Sequence, residues 1–115
     1  MYQFSYAEIL EEAPAIGRER ERAAFDRAID LLRIADRPDA EQTDRATAAG
    51  FLQSLWGVLI DDLQSEENAL PPDLRSDLVS IGLWSMHEAN AVIAAPERDL
   101  SALIAVNSSI RDGLR

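Results

Sequence analysis

The sequence predicts an all-α protein, a small four-helix antiparallel bundle with a short N-terminal arm. Three observations carry this prediction. Only five prolines occur in 115 residues, and they divide the chain into stretches of helical length. Apolar residues within those stretches recur every three or four positions, as one face of a helix requires. The chain has no sustained polar–apolar alternation and no Asn-Gly or Asp-Gly hairpin turn, so strands are not indicated.

The chain length suits one domain, residues 1–115, because two independent cores are hard to build from so few residues. We expect residues 1–13 to form the arm and residues 15–114 to form the bundle. Ser5 and Glu8 have the spacing of a capping box, which predicts a short helical turn in the arm. Tyr2, Phe4 and Tyr6 alternate along the chain, so an extended arm is equally allowed.

The first and second helices are predicted from apolar residues that recur at each helical turn. The first helix is predicted over residues 15–35, and its apolar stripe consists of Phe25, Ala28, Ile29, Leu32 and Ala35. The second helix is predicted to run to about residue 63. Either Thr43 or Asp44 can cap its N-terminus.

The third and fourth helices are bounded by residues typical of helix ends. The third helix is predicted to begin at Pro72 or Asp73 and to end at residue 94, because proline costs little at the first helical position. The fourth helix is predicted to follow a cap at Asp99 and to end at Gly113, where a C-cap glycine belongs.

The second and third helices each carry two apolar stripes, which is more apolar surface than one small bundle needs. On the second helix the stripes are Leu52, Trp56, Leu59 and Leu63, and Phe51, Leu55 and Val58. On the third they are Leu74, Leu78 and Ile81, and Val79, Leu83, Met86, Asn90 and Ile93. Excess apolar surface indicates a binding groove or a self-association face.

Two glycines and two tryptophans lie within these stripes. Gly57 and Gly82 occupy helix interiors, where glycine costs about 1 kcal/mol relative to alanine. They indicate a close approach between helices, or the floor of a groove for a partner. Trp56 and Trp84 stand in similar surroundings, and aromatic residues at helical spacing more often belong to the core.

Charge and composition exclude several classes of function. The formal net charge is -10, from 21 acidic and 11 basic residues, and there is no cysteine. Disulfides, thiolate nucleophiles and zinc–thiolate sites are therefore excluded, and a nucleic-acid backbone binder would need a basic stripe. No apolar run approaches the roughly 20 residues of a membrane span, and the N-terminus lacks a signal core. We expect a cytoplasmic protein.

Candidate catalytic and metal-binding residues are few. His87 is the only histidine and has no carboxylate one helical turn away, so we expect a partly exposed polar residue. The sequence therefore predicts no enzyme activity, no cofactor and no metal.

A cluster of acids lies near the end of the second helix. It consists of Asp61, Asp62, Glu66 and Glu67. Carboxylates there oppose the helix dipole. They are either solvated surface or offset by Arg75, by a partner's basic residue or by Mg²⁺.

Five blocks of this sequence, in matching order, resemble the FlaF family of flagellar biosynthesis regulators. The resemblance spans essentially the whole chain, and residues 33–45 carry no recognisable pattern. The blocks are Tyr2…Ser5-Tyr6, Leu55-Trp56…Leu59-Ile60-Asp61-Asp62-Leu63, Glu67-Asn68-Ala69-Leu70-Pro71…Leu74, Ser80-Ile81-Gly82-Leu83-Trp84 and Ile110-Arg111-Asp112-Gly113-Leu114.

The resemblance implies a cytoplasmic factor that binds flagellin, through its amphipathic terminal helices, as an export chaperone. The alternative that it implies is a regulator of flagellin expression acting with FlbT, through protein contacts or on flagellin mRNA. The net charge gives direct RNA binding little support, and no DNA or membrane partner is expected. A third, generic interpretation is a helical module that associates with itself.

Eight residues are the candidates for partner binding. We expect Tyr2, Phe4 and Tyr6 to form an arm that covers the groove when it is empty. The remaining candidates, as residues of the fold or of the groove, are Leu55, Trp56, Leu59, Ile81 and Trp84.

Overall fold

The structure, a computed structural model, describes residues 15–113 of the chain. These residues form four helices and no strand, which confirms the predicted all-α class. The helices are α1 (Ala15–Ala35), α2 (Gln42–Leu63), α3 (Pro72–Ala94) and α4 (Ser101–Asp112). The predicted arm, with Tyr2, Phe4 and Tyr6 and the Ser5–Glu8 capping box, lies outside the described residues.

The predicted helix bounds hold for α1 and for α3, which begins at Pro72, but the start of α2 was placed too late. Helix α2 begins at Gln42, with Glu41 as its N-cap residue, and neither Thr43 nor Asp44 is the cap. Asp44 lies in the first turn, where its Oδ2 accepts a hydrogen bond from the Glu41 amide at 2.9 Å. The carboxylate therefore stabilises the N-terminus from within the helix.

Helix α4 begins at Ser101, directly after the buried N-cap residue Leu100. Asp99 stabilises the turn that precedes the helix. The Asp99 carboxylate accepts hydrogen bonds from the amide and the hydroxyl of Ser101, each at 2.9 Å. Gly113 is the C-cap residue, as predicted, but its φ of -71° is right-handed. Its position therefore does not depend on the left-handed backbone that favours glycine.

The helices pack in an antiparallel order, each beside its neighbour in the chain. Helix α2 lies between α1 and α3, α1 also packs on α4, and α3 meets α4 more sparingly. Gln42 at the start of α2 donates to the Ile93 carbonyl near the end of α3 at 2.9 Å. Further along, Gln53 Nε2 donates to Asn90 Oδ1 at 2.6 Å, which sets the register of the α2–α3 pair.

Trp56 lies at the centre of the core. Its ring meets Phe25 of α1 edge to face, with centroids 5.6 Å apart. Its indole Nε1 donates to Asn107 Oδ1 of α4 at 2.8 Å, a bond buried between two side chains. Asn107 in turn donates to the Leu103 carbonyl at 2.9 Å and to Ser85 Oγ at 3.4 Å. The polar atoms that the core encloses here are thus paired, as burial requires.

Gly82 of α3 lies directly against the Trp56 ring. A methyl group at Gly82 would overlap Trp56 Cε3, and it would lie 3.0 Å from Cζ3 and 3.1 Å from Ile60 Cδ1. The predicted close approach of helices is confirmed at this position. At Gly57 nothing lies within 4 Å of the corresponding point, so that glycine faces open space.

Two arginines stabilise the loop between α3 and α4 through hydrogen bonds. Arg45 of α2 donates from Nε to the Val92 carbonyl at 3.1 Å and from Nη2 to the Arg98 carbonyl at 2.6 Å. The Arg98 guanidinium binds the largely buried Glu88 carboxylate in a two-bond fork, at 2.7 and 3.0 Å. Both arrangements satisfy carbonyl and carboxylate oxygens at the C-terminal end of α3.

Gly82→Ala is expected to destabilise the bundle by about 1–3 kcal/mol, because the added methyl group overpacks the core against Trp56. Gly57→Ala is the matched control and is expected to gain up to about 1 kcal/mol, since it improves helix propensity without a contact. Urea unfolding followed by circular dichroism measures both. Equal unfolding midpoints for the two variants would contradict the packing described.

Stability should depend on pH through Glu88, because the hydrogen-bonded Arg98 guanidinium lowers the pKa of this carboxyl. The ion pair therefore stabilises the fold above the ordinary carboxyl pKa, and that stabilisation is lost as pH falls through the lowered, folded-state value. We expect Glu88→Gln to lower the thermal midpoint at pH 7 and to converge with the parent at acid pH, once the pH lies below the lowered pKa of Glu88 in the folded state.

Glu97→Gln is the control for Glu88→Gln, since Glu97 is an exposed neighbour that has no ion pair within residues 19–113. It should follow the parent at every pH. A deficit of Glu88→Gln that is the same at both ends of the pH range would rule out the ion pair as its cause.

Candidate partner-binding surface

Three large apolar side chains on α2 and α3 remain exposed. The exposed fraction is 70% for Val58, 56% for Leu83 and 38% for Trp84. Single exposed apolar residues are ordinary, so what matters is whether they form a continuous surface.

Val58 and Leu83 lie at the same level of the α2–α3 pair. Gln53 of α2 is bonded to Asn90 of α3, and Gly82 packs on Trp56. Since the two helices run antiparallel, the turn that follows Gln53 in α2 lies opposite the turn that precedes Asn90 in α3. Gly57 therefore lies at the level of Leu83, whereas Val58, two positions after the buried Trp56, projects from the opposite side of α2.

The half-buried Val79 and Met86 lie one turn from Leu83 on the same edge of α3. Gly57 of α2 presents open space where a side chain would stand. We call Gly57, Val79, Leu83 and Met86 the α2–α3 outer patch. Its glycine notch allows another backbone or a bulky side chain to approach α2 closely.

The residues predicted for the groove are distributed over three places. Trp56 is buried, with 1% of its surface exposed, and is a core residue. Leu55 and Leu59 are half-buried on the edge of α2 that continues to Asp62. That edge faces α1, where burial and, second to it, the negative charge of Asp62 raise the pKa of Glu21.

Ile81, which is half-buried, and Trp84, which is exposed, lie on one edge of α3. They share a face of α3 with Glu88, whose partner Arg98 belongs to the α3–α4 loop, so this edge faces α4. Leu55 and Leu59 thus lie toward α1, whereas Ile81 and Trp84 lie on the side of α3 toward α4. Tyr2, Phe4 and Tyr6 lie outside the described residues, so their role stays a prediction.

Val58 and Leu83 belong to the second apolar stripes of α2 and α3, respectively. Neither is among the residues that the sequence predicts for partner binding. The two stripes of each helix together cover a wider arc of its surface than the helix buries against its two neighbours. The signal that could have found them is their angular distance from the stripe that contains Trp56 and Gly82.

The α2–α3 loop end of the bundle is acidic. Asp61, Glu66, Glu67 and Asp73 are all exposed there. Arg75 does not pair with them: its Nη1 donates to the Ser65 carbonyl at 3.4 Å, and it forms no salt bridge within residues 19–113. The negative charge at this end is therefore not neutralised by a neighbouring arginine.

His87 is exposed, as expected. Within the described part of the chain, no group of three His, Asp or Glu side chains is placed to hold a metal ion. Among residues 15–113, no helix is both long and apolar enough to cross a membrane.

Comparison with protein families matches residues 2–114 to the family described as "Flagellar protein FlaF". The match covers the complete length of the bundle and nearly all of the preceding residues. Neither curated proteins nor solved structures gave a match.

Trp84→Phe is expected to remove most of the tryptophan fluorescence that acrylamide quenches, because the remaining Trp56 is enclosed by the core. Stern–Volmer titration of the parent and the variant measures this difference. Ala46→Ser, at an exposed position of α2, leaves both tryptophans in place and should quench like the parent. Equal quenching constants for Trp84→Phe and the parent would contradict the placement of the two indoles.

Proposed function

Because the chain belongs to the FlaF family of flagellar proteins, we propose that it binds flagellin in the cytoplasm as an export chaperone. The observation that carries the proposal is the family match over residues 2–114. The resemblance of five separate sequence blocks, from the N-terminus to Leu114, leads to the same family.

The surface described above is compatible with this role. Free flagellin subunits expose amphipathic terminal helices, which a chaperone must cover to prevent premature association. A helix of this kind binds by laying its apolar face on an apolar surface, with contacts at successive helical turns. Val58 and Leu83 offer exposed apolar contacts on two adjacent helices, and Trp84 offers a third.

Binding of this type needs no catalytic group, only a rigid scaffold that holds the apolar side chains in place. The packing of Trp56 between Phe25, Gly82 and Asn107 supplies such a scaffold beneath the surface. The net charge of -10 would keep a complex soluble while one apolar surface is covered by another.

Co-expression with the flagellin encoded in the same genome is expected to give a one-to-one complex on size exclusion. The control is a flagellin truncated at both ends, which lacks the amphipathic helices and should elute separately. Separate elution of the full-length flagellin and this protein at micromolar concentration would overturn the proposal. Capture of FlbT without flagellin would support regulation of flagellin expression instead.

A further inference from the structure

We propose that the N-terminal segment, residues 1–14, docks on its own bundle in an opening beyond the C-terminus of α4. Ile81 of α3, Ile110 of α4 and Arg22 of α1 border this opening, which we call the α4 opening. The apolar side chains of the segment cover the two isoleucines, and its glutamates lie on the side of Arg22. These contacts lie within one chain and do not depend on flagellin.

Helix α4 is too short to cover the whole of α3. It has 12 residues and α3 has 23, which correspond to about 18 Å and about 35 Å of helix. The ion pair between Arg98 and Glu88 places the start of α4 near the C-terminal end of α3. Among residues 15–113, the N-terminal half of α3 therefore lacks a helical neighbour on the side where α4 covers the other half.

The apolar border of the α4 opening consists of Ile81 and Ile110. Asn107 of α4 donates to Ser85 Oγ of α3 at 3.4 Å. Ile81 lies one turn before Ser85, and Ile110 lies about one turn after Asn107, on helices that run antiparallel. Both isoleucines therefore lie beyond this bond in the same direction, and both are half-buried against the core.

The charged border of the α4 opening belongs to α1 and is basic. Asp26 of α1 pairs with Arg111 in the last turn of α4, at 3.2 Å. Arg22 lies one turn before Asp26 on the same face of α1, so it stands just beyond the end of α4. It is exposed and forms no salt bridge within residues 19–113. An acidic segment that enters the opening therefore meets an arginine that pairs with no other described residue.

Residues 1–14 have the attachment point and the length to fill the opening. Arg45 near the start of α2 donates to the Arg98 carbonyl at 2.6 Å, so α4 starts at the end of the bundle where α1 ends. The C-terminus of α4 is therefore directed toward Ala15, where α1 begins. The uncovered stretch of α3, residues 72–81, is about 15 Å long, and ten residues span that distance even as a helix.

The composition of the segment matches the two borders. Its charged residues are Glu8, Glu11 and Glu12, and its large apolar residues are Tyr2, Phe4, Tyr6, Ile9 and Leu10. Glutamates are favoured beside Arg22 and disfavoured on the α3 side, where the half-buried Asp77 lies one turn before Ile81. The apolar residues therefore face the isoleucines. The family match begins at residue 2, so it includes this segment together with the bundle.

Paramagnetic broadening of amide signals in the full chain tests the docking. The chain has no cysteine, so Ser5→Cys provides a single attachment point for a nitroxide label. We expect loss of the signals of Ile81 and Ile110, whereas Ser54 and Val58, exposed on the side of α2 opposite to Trp56, keep theirs. Reduction of the label should restore every signal. Retention of the Ile81 and Ile110 signals beside the active label would overturn the proposal.

A mixed sample distinguishes docking within one chain from docking between two chains. It combines labelled chains at natural isotope abundance with unlabelled chains enriched in nitrogen-15. We expect the enriched chains to keep the signals of Ile81 and Ile110. Loss of these signals would make the segment of a second copy the occupant, which overturns the proposal.

The apolar contribution is tested by substitutions within the segment, which leave the four helices unaltered. We expect the triple variant Tyr2→Ser/Phe4→Ser/Tyr6→Ser to restore the signals of Ile81 and Ile110 beside the label at residue 5. The matched control Gln3→Ser exchanges one polar side chain for another and should still lose them. Signals that stay lost in the triple variant would overturn the apolar contact.

The charge contribution is tested with Arg22→Gln. We expect the equilibrium constant for docking, followed through the Ile81 signal, to fall by about twofold to fivefold, as for exposed ion pairs. About 0.5 M salt should have the same effect on the parent, because exposed charges are screened. Arg27→Gln is the control, an equal change of charge two positions after the buried Phe25, on the outer side of α1. Equal effects of the two variants would overturn the contact with Arg22.

The outcomes are separate from those for the proposed function. No flagellin is present in these experiments, so their failure would leave flagellin binding standing. Absence of a flagellin complex would in turn leave the docking of the segment standing.

Discussion

Trp56 is the side chain on which the rest of the bundle depends, because it contacts each of the other three helices. Phe25 of α1 meets its ring edge to face, Gly82 on α3 lies against its Cε3 and Cζ3 atoms, and Asn107 of α4 accepts its indole N–H. Only glycine leaves room for the ring on α3, and only a polar partner can satisfy the buried indole nitrogen without loss. One aromatic side chain thereby determines how closely α3 approaches α2 and where the short α4 packs.

The consequence of this arrangement lies on the outside of the bundle. Since Trp56 and Gly82 determine how closely α2 and α3 approach, they also determine how far Gly57 of α2 stands from the exposed Leu83 of α3. The apolar surface is therefore part of a packed two-helix unit and needs no loop to form it. A preformed surface loses less conformational entropy on binding than a mobile one, which suits the partner-binding role that we propose.

The helices could be predicted closely from the sequence, whereas the division of apolar residues between core and surface could not. Prolines and apolar spacing bounded α1 and α3, but the start of α2 depended on Glu41, which is an uncommon cap and was not recognised. Trp56 and Trp84 occupy similar sequence surroundings, yet one is in the core and the other is on the surface. Spacing defines the faces of a helix, and only the packing of neighbouring helices decides which face is covered.

The central proposal is that flagellin binds to the apolar side chains that α2 and α3 leave exposed. Hydrogen–deuterium exchange of the protein, alone and in the flagellin complex, tests it without altering any residue. We predict slower exchange on complex formation in peptides covering Gly57–Asp61 and Val79–Met86, with α4 unchanged. Protection confined to α1 and α4, with the α2–α3 pair exchanging as in the free protein, would contradict the claim.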